Sequence, residues 1–257
     1  APPLGAEFIA SLDELGMLYL FQNRYEKSAP LLQEAYRRAM ELPETNPVVP
    51  ESVQALGTLY RLEGHLARAE PLLRKSQFIY EKVNGPDHPL VAVALAQSAA
   101  LAMDEKKFAI AEQDLGRALD ILRKEALGDP IMVAQAEGSL AYAKFEQGDY
   151  KPAEQLLLDA IAIGERVYHG PHANLASCHS SLGAVYAREG RREDAESEYR
   201  HAVTMFEKTV QRGDARLAAT LEGYARLLKS DRKRKQEARQ MAQRAKAIRG
   251  LALRSAE

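Results

Sequence analysis

The chain has 257 residues, with no Trp, a single Cys and a formal net charge of -1 at pH 7. A single globular core of this length would be near its upper size limit, so we expect either two ordinary domains or one elongated repeat array. The abundance of Ala, Leu, Glu and Arg favours an almost entirely helical protein. One cysteine excludes an intramolecular disulfide, and no apolar run approaches the roughly 18 residues that a membrane-spanning helix needs.

The charge is concentrated at one end of the sequence. From Arg226 to Glu257 there are eleven basic and three acidic residues, a net charge of +8, which leaves -9 for the rest of the chain. We interpret this segment as the polar cap of a repeat array. It has no aromatic side chain that would stack on bases, so nucleic acid is not favoured as a partner. A salt-dependent contact with an acidic surface through residues Arg232 to Arg249 is the alternative.

The start of the sequence and its composition suggest where the protein comes from. The sequence begins Ala1-Pro2-Pro3 without a Met, so we expect either processing or excision from a longer protein. A cytoplasmic location is favoured, and a periplasmic or secreted one is the alternative if a signal peptide was removed. Arg outnumbers Lys by 22 to 13, which fits a bacterial source with GC-rich coding.

A repeat of about 42 residues runs through the chain. Five equivalent positions, each followed by an apolar helix, are spaced 42, 41, 43 and 42 residues apart: Pro47, Pro89, Pro130, Ala173 and Ala215. Six copies of a second landmark, each three residues before a small residue, keep the same step: Tyr25, Leu66, Phe108, Tyr150, Arg192 and Lys235. Self-similarity of this kind predicts a single array over 1–257, with repeats at about 8–44, 46–84, 87–127, 129–170, 172–212 and 214–251.

Each repeat is predicted to contain two helices of about 15 to 18 residues, helix A and helix B. Asp, Asn or His before the landmark proline is an N-cap signal for helix A, as in His88-Pro89 and Asp129-Pro130. A glycine shortly before each cap, such as Gly85 and Gly170, is expected to end the preceding helix B in a left-handed conformation. Tight turns at Gly64, Gly148 and Gly190 are predicted to join helix A to helix B.

Small residues recur at the point where helix A should press on helix B. They stand nine or ten residues before the second landmark, where a larger side chain would hold the helix axes apart: Gly16, Gly57, Ala99, Ala141, Gly183 and Ala225. A second set of small residues, ten after the landmark, should allow close contact between helix B and the next repeat: Ala35, Ser76, Ala118, Ala160, Ala202 and Ala245.

The repeat resembles the tetratricopeptide repeat, in the 42-residue variety of kinesin light chains. The shared pattern stands here as Leu182-Gly183 with Tyr186, as Gly148-x-Tyr150 followed by Ala153-Glu154, and as Gly85 to Ala92. The resemblance covers residues 8–251 and implies an all-α, right-handed α-solenoid of about six helix-turn-helix repeats, whose A helices line a concave groove for a peptide. The Asn residues with which kinesin light chains hold cargo are absent, and so are the Lys and Asn that hold a C-terminal carboxylate in some relatives.

The resemblance and the helical period together predict which side chains face the groove. Counting from the small residue of helix A, positions -6, -3, +1, +4 and +5 should face away from helix B. Among these we select eight candidate residues for partner binding: Gln54, Arg61, Met103, Gln135, Tyr142, Phe145, Ser180 and Arg188. Leu20 at +4 of the first repeat is expected to face the groove as well.

Three large apolar side chains in this set, Met103, Tyr142 and Phe145, are surrounded by small residues. Such a cluster predicts a pocket for an apolar anchor of a partner, with Gln135, Arg61 and Arg188 supplying polar contacts. In the alternative interpretation, Tyr142 and Phe145 only pack against a neighbouring A helix.

The first helix is unusually apolar, because Phe8, Ile9, Leu12, Leu15, Leu18 and Phe21 leave it almost no polar face. Such a helix at the end of an array predicts either a covering segment or self-association, and we expect a homodimer through Phe8 and Leu12.

Enzyme chemistry is not indicated, and no catalytic residue, metal or cofactor is expected. His169, His172, Cys178 and His179 lie close in sequence, but neighbouring residues on a helix diverge by about 100 degrees and do not share a metal. The carboxylates recur as Ala-Glu in successive B helices, and a residue repeated in every unit serves the fold rather than a reaction.

The sequence therefore predicts a protein-interaction scaffold that binds a peptide or protein segment in its groove. Two alternatives remain: a sensory or regulatory module of a longer signalling or transcription protein, and a scaffold that assembles with itself through its first repeat.

Overall fold

The computed structural model describes residues 5–124, 129–210 and 214–254, with the backbone alone for 252–254. These residues form paired helices and contain no strand. The helices, in chain order and alternating between helix A and helix B, are α1 (Ala6–Phe21), α2 (Tyr25–Ala39), α3 (Val48–Leu62), α4 (Leu66–Asn84), α5 (Pro89–Asp104), α6 (Phe108–Lys124), α7 (Pro130–Gln147), α8 (Tyr150–Val167), α9 (Ala173–Glu189), α10 (Arg192–Thr209), α11 (Ala215–Lys229) and α12 (Lys235–Arg254).

The capping signals read from the sequence are confirmed at five A helices. At each of them a side-chain atom accepts a hydrogen bond from the backbone N–H of the residue two positions later, with donor–acceptor distances of 2.8 to 3.2 Å. The accepting residues are Asn46, His88, Asp129, His172 and Asp214. Because each bond satisfies an N–H that has no partner within the helix, it fixes where helix A begins.

Left-handed residues mark the turns between helix A and helix B. Gly64, Gly148 and Gly190 have positive φ, as expected, and Asn23 and Lys106 take the same conformation at equivalent turns. A left-handed conformation is unfavourable for Lys because of its side chain, so a Lys at position 106 does not indicate a turn.

Of the two predicted glycine stops between repeats that the structure describes, one has the expected positive φ and one does not. Gly85 has a positive φ of 89°, but Gly170 does not, because α8 already ends at Val167 and a short extended segment follows. The predicted left-handed stop at Gly170 is therefore wrong. Gly128 and Gly213 lie outside the described residues.

The small positions are the contact points between paired helices, as predicted. A Cβ added to Gly16 would lie 2.5 Å from Leu32 Cδ2, and one added to Gly57 would lie 2.9 Å from Leu73 Cδ2. At the second set of positions every residue is essentially fully buried: Ala35, Ser76, Ala118, Ala160, Ala202 and Ala245. Close backbone approach explains both sets.

The chain divides into two compact units, Ala1–Gly128 and Asp129–Glu257, each with three repeats. In unit 1, α1, α3 and α5 contact one another in order, and each also packs against its B helices. In unit 2, α7, α9 and α11 form the equivalent layer. Helices stacked in this way define an all-α repeat solenoid. None of the described helices has the length and apolar character needed to cross a membrane.

The basic C-terminal helix is held to its neighbours by ion pairs. Arg249 contacts Glu222 of α11 at 2.7 Å, and Arg244 pairs with Glu207 of α10. Arg234, which directly precedes α12, pairs with Glu196 of α10. Part of the positive charge at this end is therefore neutralised within unit 2, in keeping with its interpretation as a cap.

A cationic groove in unit 2

A groove with a volume of about 800 Å³ lies across the A helices of unit 2. We call it the cationic groove. Four of the eight candidate residues line it, namely Tyr142, Phe145, Ser180 and Arg188. Its wall also includes the first residue of α10, residues of α11 and the residue that follows α11, namely Arg192, Gly223, Arg226, Leu227 and Ser230.

The apolar part of the groove consists of Tyr142 and Phe145, one helical turn apart on α7. Tyr142 is 45% exposed, whereas Phe145 is partly buried beside Tyr150, with ring centroids 5.8 Å apart. The guanidinium of Arg188 lies 5.5 Å from the centre of the Phe145 ring, which is within cation–π range. Phe145 thus both packs within the unit and lines the groove, and Tyr142 offers the more exposed apolar surface.

The charged part of the groove is predominantly positive. Arg188, Arg192 and Arg226 line it together with one carboxylate, Glu146. None of the three arginines takes part in an ion pair between described residues, although many arginines elsewhere in unit 2 do. Arg192 donates to the backbone oxygen of Leu227 at 3.4 Å. The groove therefore presents three guanidinium groups that are not held in ion pairs with described carboxylates.

Sequence reasoning missed Arg192 and Arg226. Arg226 stands at position +1 after Ala225, the same position that places Tyr142 in the groove, so extending the periodic rule to the sixth repeat would have found it. Arg192 is the first residue of a B helix, and no groove position was assigned to those helices.

Two other candidates of unit 2 have polar surroundings. Ser180 lines the groove and accepts a hydrogen bond of 2.8 Å from Thr220 of α11, so it also joins two A helices. Gln135 is exposed near the start of α7 and is not part of the groove wall.

In unit 1 the equivalent polar residues bind to one another. Arg61 on α3 pairs with Asp104 on α5 at 2.7 Å, and its side chain is only 15% exposed. Thr58 donates to Gln97, and Ser52 donates to the buried carboxylate of Asp13. Arg61 therefore connects adjacent A helices.

The remaining candidates of unit 1 are half-buried. Gln54 has a buried side-chain oxygen without a hydrogen-bond partner, and Met103 lies near the end of α5. The expectation for Leu20 is wrong, because it is 1% exposed and packs against Leu32 and Leu59 in the core.

A single geometric relation accounts for several of these outcomes. The residue at +4 of one A helix contacts the residue at +5 of the next: Arg61 meets Asp104 in unit 1, and Phe145 meets Arg188 in unit 2. Position +4 therefore lies at the seam between A helices, whereas +1 is more open in unit 2. This places Tyr142 and Arg226 at the groove surface.

The histidines that sequence analysis set aside as metal ligands are separated in the structure. His172 caps α9 and stacks on Tyr168, with ring centroids 3.6 Å apart, whereas Cys178 is partly buried beside Gly138. Burial raises the pKa of the Cys178 thiol to about 11, so the group stays protonated and is a poor nucleophile near neutral pH.

The first helix exposes apolar side chains, as its composition predicts. Phe21 is 74% exposed, Leu18 52% and Leu15 42%. Leu12 is partly covered by the core around Ile9, and Phe8 is partly covered by Arg38, whose guanidinium lies 5.4 Å from the ring centre. The exposed apolar surface is thus made by Leu15, Leu18 and Phe21 more than by the two residues selected from the sequence.

The stacked A and B helices and the groove across the A helices define the class of the protein, a helical repeat solenoid. Sequence profiles of the tetratricopeptide repeat match residues 52–90 and 132–208. These two stretches are tetratricopeptide repeats, and the fold is similar to that of kinesin light chain repeats. No curated protein sequence matches it.

Solved structures share this fold at low sequence identity. A kinesin light chain with nearly identical TPR-like repeats from Podosopora anserina is 20% identical, with a TM-score of 0.64 over 80% of this chain and 98% of that one. A signal transduction ATPase from Pyrococcus horikoshii with a tetratricopeptide repeat sensor is 18% identical, with a TM-score of 0.70 over 91% of this chain and 34% of that one. The Rap conjugation gene regulator of plasmid pLS20, in complex with the Phr* peptide, is 12% identical, with a TM-score of 0.64 over 93% and 73%.

Proposed function

We propose that this chain is a protein-interaction scaffold that binds an acidic peptide segment with an apolar anchor residue in the cationic groove of unit 2. The observation that carries the proposal is the position of three arginines without carboxylate partners beside the exposed ring of Tyr142. A surface of this kind is complementary to a segment that carries both negative charge and a large apolar side chain.

The residue types in the groove are those that contribute most to binding energy at interfaces. Tyr and Arg are enriched among residues whose truncation costs more than about 2 kcal/mol, because they bury a large area and make directed polar contacts. A guanidinium also binds a carboxylate through two parallel hydrogen bonds, which gives orientation as well as attraction. Tyr142 and Phe145 would hold the apolar anchor, and Arg188 and Arg226 would hold the flanking carboxylates.

The fold comparisons support binding of a peptide without identifying it. The Rap regulator, whose fold is similar, is in complex with the Phr* peptide. That ligand belongs to that protein, and the chemistry proposed here comes from the groove itself.

The proposal is tested by selecting binders from a random peptide library on the intact chain. We expect selected sequences to combine Asp or Glu with an aromatic or large aliphatic residue. The double variant Tyr142→Ala, Phe145→Ala should not retain them, because it lacks the apolar wall. Phe78→Ala is a matched control, since Phe78 is a 61% exposed aromatic on α4 of unit 1 and should leave selection unchanged.

Two results would count against this function. Selection of no sequence above background would indicate that the groove does not bind peptides. Retention of the same sequences by the double variant would place binding elsewhere. Circular dichroism of the double variant shows whether it keeps its helices, since Phe145 also contacts Tyr150.

A regulatory role is a second candidate. The ATPase from Pyrococcus horikoshii carries its tetratricopeptide repeats as a sensor, and this chain aligns with 34% of its length. A catalytic or DNA-binding segment encoded next to this chain would favour a regulatory module, in which the same groove receives the signal.

Self-association is the third candidate, supported by the exposed apolar face of α1. We expect a mass of two chains by light scattering at high concentration, and of one chain for the variant Leu18→Glu, Phe21→Glu, because charges on this face oppose its burial. A wild-type mass of one chain at every concentration would contradict the dimer. Phe78→Glu, on another exposed aromatic, serves as the control and should leave the mass unchanged.

A further inference from the structure

We propose that His179, Glu198 and His201 form a binding site for one divalent transition-metal ion, with Zn²⁺ as the best-matched ion. Each side chain has one potential ligand atom, and these atoms lie within 4.8 Å of one another. None of the three residues lines the cationic groove, so this inference is independent of the proposed function.

The helical hairpin of repeat five brings the three side chains together. His179 lies on α9, whereas Glu198 and His201 lie three residues apart on α10, which places them on the same face of that helix. The two helices pack against each other as helix A and helix B of the repeat. The sequence signal, Glu-x-x-His, is too short to indicate a site until the facing histidine is known.

His179 is the anchor of the cluster. It is 7% exposed, and its Nδ1 lies 2.6 Å from Oε2 of Glu198. Its other nitrogen, Nε2, is buried and has no hydrogen-bond partner, which is uncommon for a buried polar atom in a folded protein. The ring of His201 approaches it edge-on, with centroids 5.7 Å apart. Two imidazoles are thus held together beside one carboxylate.

Two imidazole nitrogens and one carboxylate oxygen are a ligand set that Zn²⁺ prefers, with a fourth position left for water. Ligands at about 2.0 to 2.2 Å from a tetrahedral ion are roughly 3.3 Å apart. His179 Nδ1 and Glu198 Oε2 would therefore move apart from 2.6 Å, whereas atoms as far apart as 4.8 Å would approach each other by less than about 2 Å. His201 is exposed and its ring already meets that of His179 edge-on, so a change of side-chain rotamer would bring it to the ion, which reaches the site from this exposed side.

A metal bound here would connect α9 to α10 and stabilise repeat five. The ion binds the folded hairpin and not the separated helices, so its binding adds to the stability of the folded state.

The test is calorimetric titration of the full chain with ZnCl₂ in a buffer that does not chelate metal. We expect saturable binding of one ion per chain, with a dissociation constant in the micromolar range or tighter. His201→Ala should weaken binding by about tenfold or more, since it removes one of three ligands. It is preferred to a substitution of His179 because the exposed side chain of His201 does not support the core.

His65→Ala is the matched control. His65 is exposed and lies 4.0 Å from Glu63, but it belongs to no group of three ligands among the described residues, so its loss should leave zinc binding unchanged. Zinc should also raise the melting temperature of the wild type and of His65→Ala, but not of His201→Ala. Absence of saturable binding to the wild type, or equal affinities for the wild type and His201→Ala, would overturn the proposal.

Discussion

At the residue scale, the small side chains of helix A are the most stringent feature of the repeat. A methyl group added at Gly16 would overlap the side chain of Leu32, which is completely buried in the core. We therefore expect Gly16→Ala to destabilise the protein by about 1 to 3 kcal/mol, as overpacking of a core does, despite the better helix propensity of Ala. Urea unfolding followed by circular dichroism measures the change.

Gly116→Ala supplies the control for this prediction. Gly116 also lies within a helix, α6, but an added Cβ there meets no atom within 4 Å. Its replacement should stabilise the protein by about 0.4 to 1 kcal/mol, because Ala loses less conformational entropy on folding. Equal effects of the two substitutions would contradict a close crossing of α1 and α2 at Gly16.

A buried carboxyl group gives unit 1 a pH dependence. Asp13 accepts a hydrogen bond from Ser52, but its other oxygen is buried without a partner. Burial raises the pKa of Asp13 to about 7, and the charge of Glu51 adds to the effect. Between about pH 4 and pH 7 the folded protein therefore holds a proton that the unfolded chain has released, so stability falls as pH rises through this range.

Asp13→Asn should remove this dependence. Because the amide does not ionise, we expect the variant to be more stable than the wild type at pH 8 by roughly 2 to 4 kcal/mol, and the difference to shrink toward pH 4. Unfolding midpoints measured at pH 5 and pH 8 test this, with Asp87→Asn, at an exposed carboxylate, as the control. Parallel pH profiles for the wild type and Asp13→Asn would contradict a raised pKa.

At the element scale, the helix caps and turns could be predicted from the sequence, because local interactions determine them. The caps at His88 and Asp129 and the turns at Gly148 and Gly190 depend on a few neighbouring residues, and the structure confirms them. The turn at Lys106 carries no such signal, because its conformation is imposed by the helices on either side of it.

The positions of side chains between repeats were harder to predict. Helical periodicity places +1, +4 and +5 on one side of helix A, but it does not say how the next helix A is displaced along that side. In the structure, that displacement brings Arg61 to Asp104 and Phe145 to Arg188. The tilt between stacked helices depends on packing over whole elements and is not encoded at single positions.

At the scale of the whole molecule, the two units share one architecture but differ in the charged residues of their A helices. In unit 1, Arg61 and Asp104 form an ion pair between neighbouring A helices. In unit 2, Arg188, Arg192 and Arg226 lie in the groove without carboxylate partners. The residues that recur in every repeat determine the fold, whereas the candidate site is formed by residues that do not recur, such as Tyr142 and Arg226. The sequence indicated Tyr142, Phe145, Ser180 and Arg188, but local pattern did not reveal that the arginines of unit 2 lack partners.

Binding of a partner segment in the cationic groove is tested most directly by the dissociation constant of a selected acidic peptide. Tyr142→Ala, Phe145→Ala and, separately, Arg188→Glu, Arg226→Glu should each raise this constant by about tenfold or more, with Phe78→Ala unchanged, because anchors and complementary charges at an interface each contribute more than about 1.4 kcal/mol. Affinity should also fall as salt is raised. The same dissociation constant for the wild type and both groove variants, with their helices intact, would contradict the account.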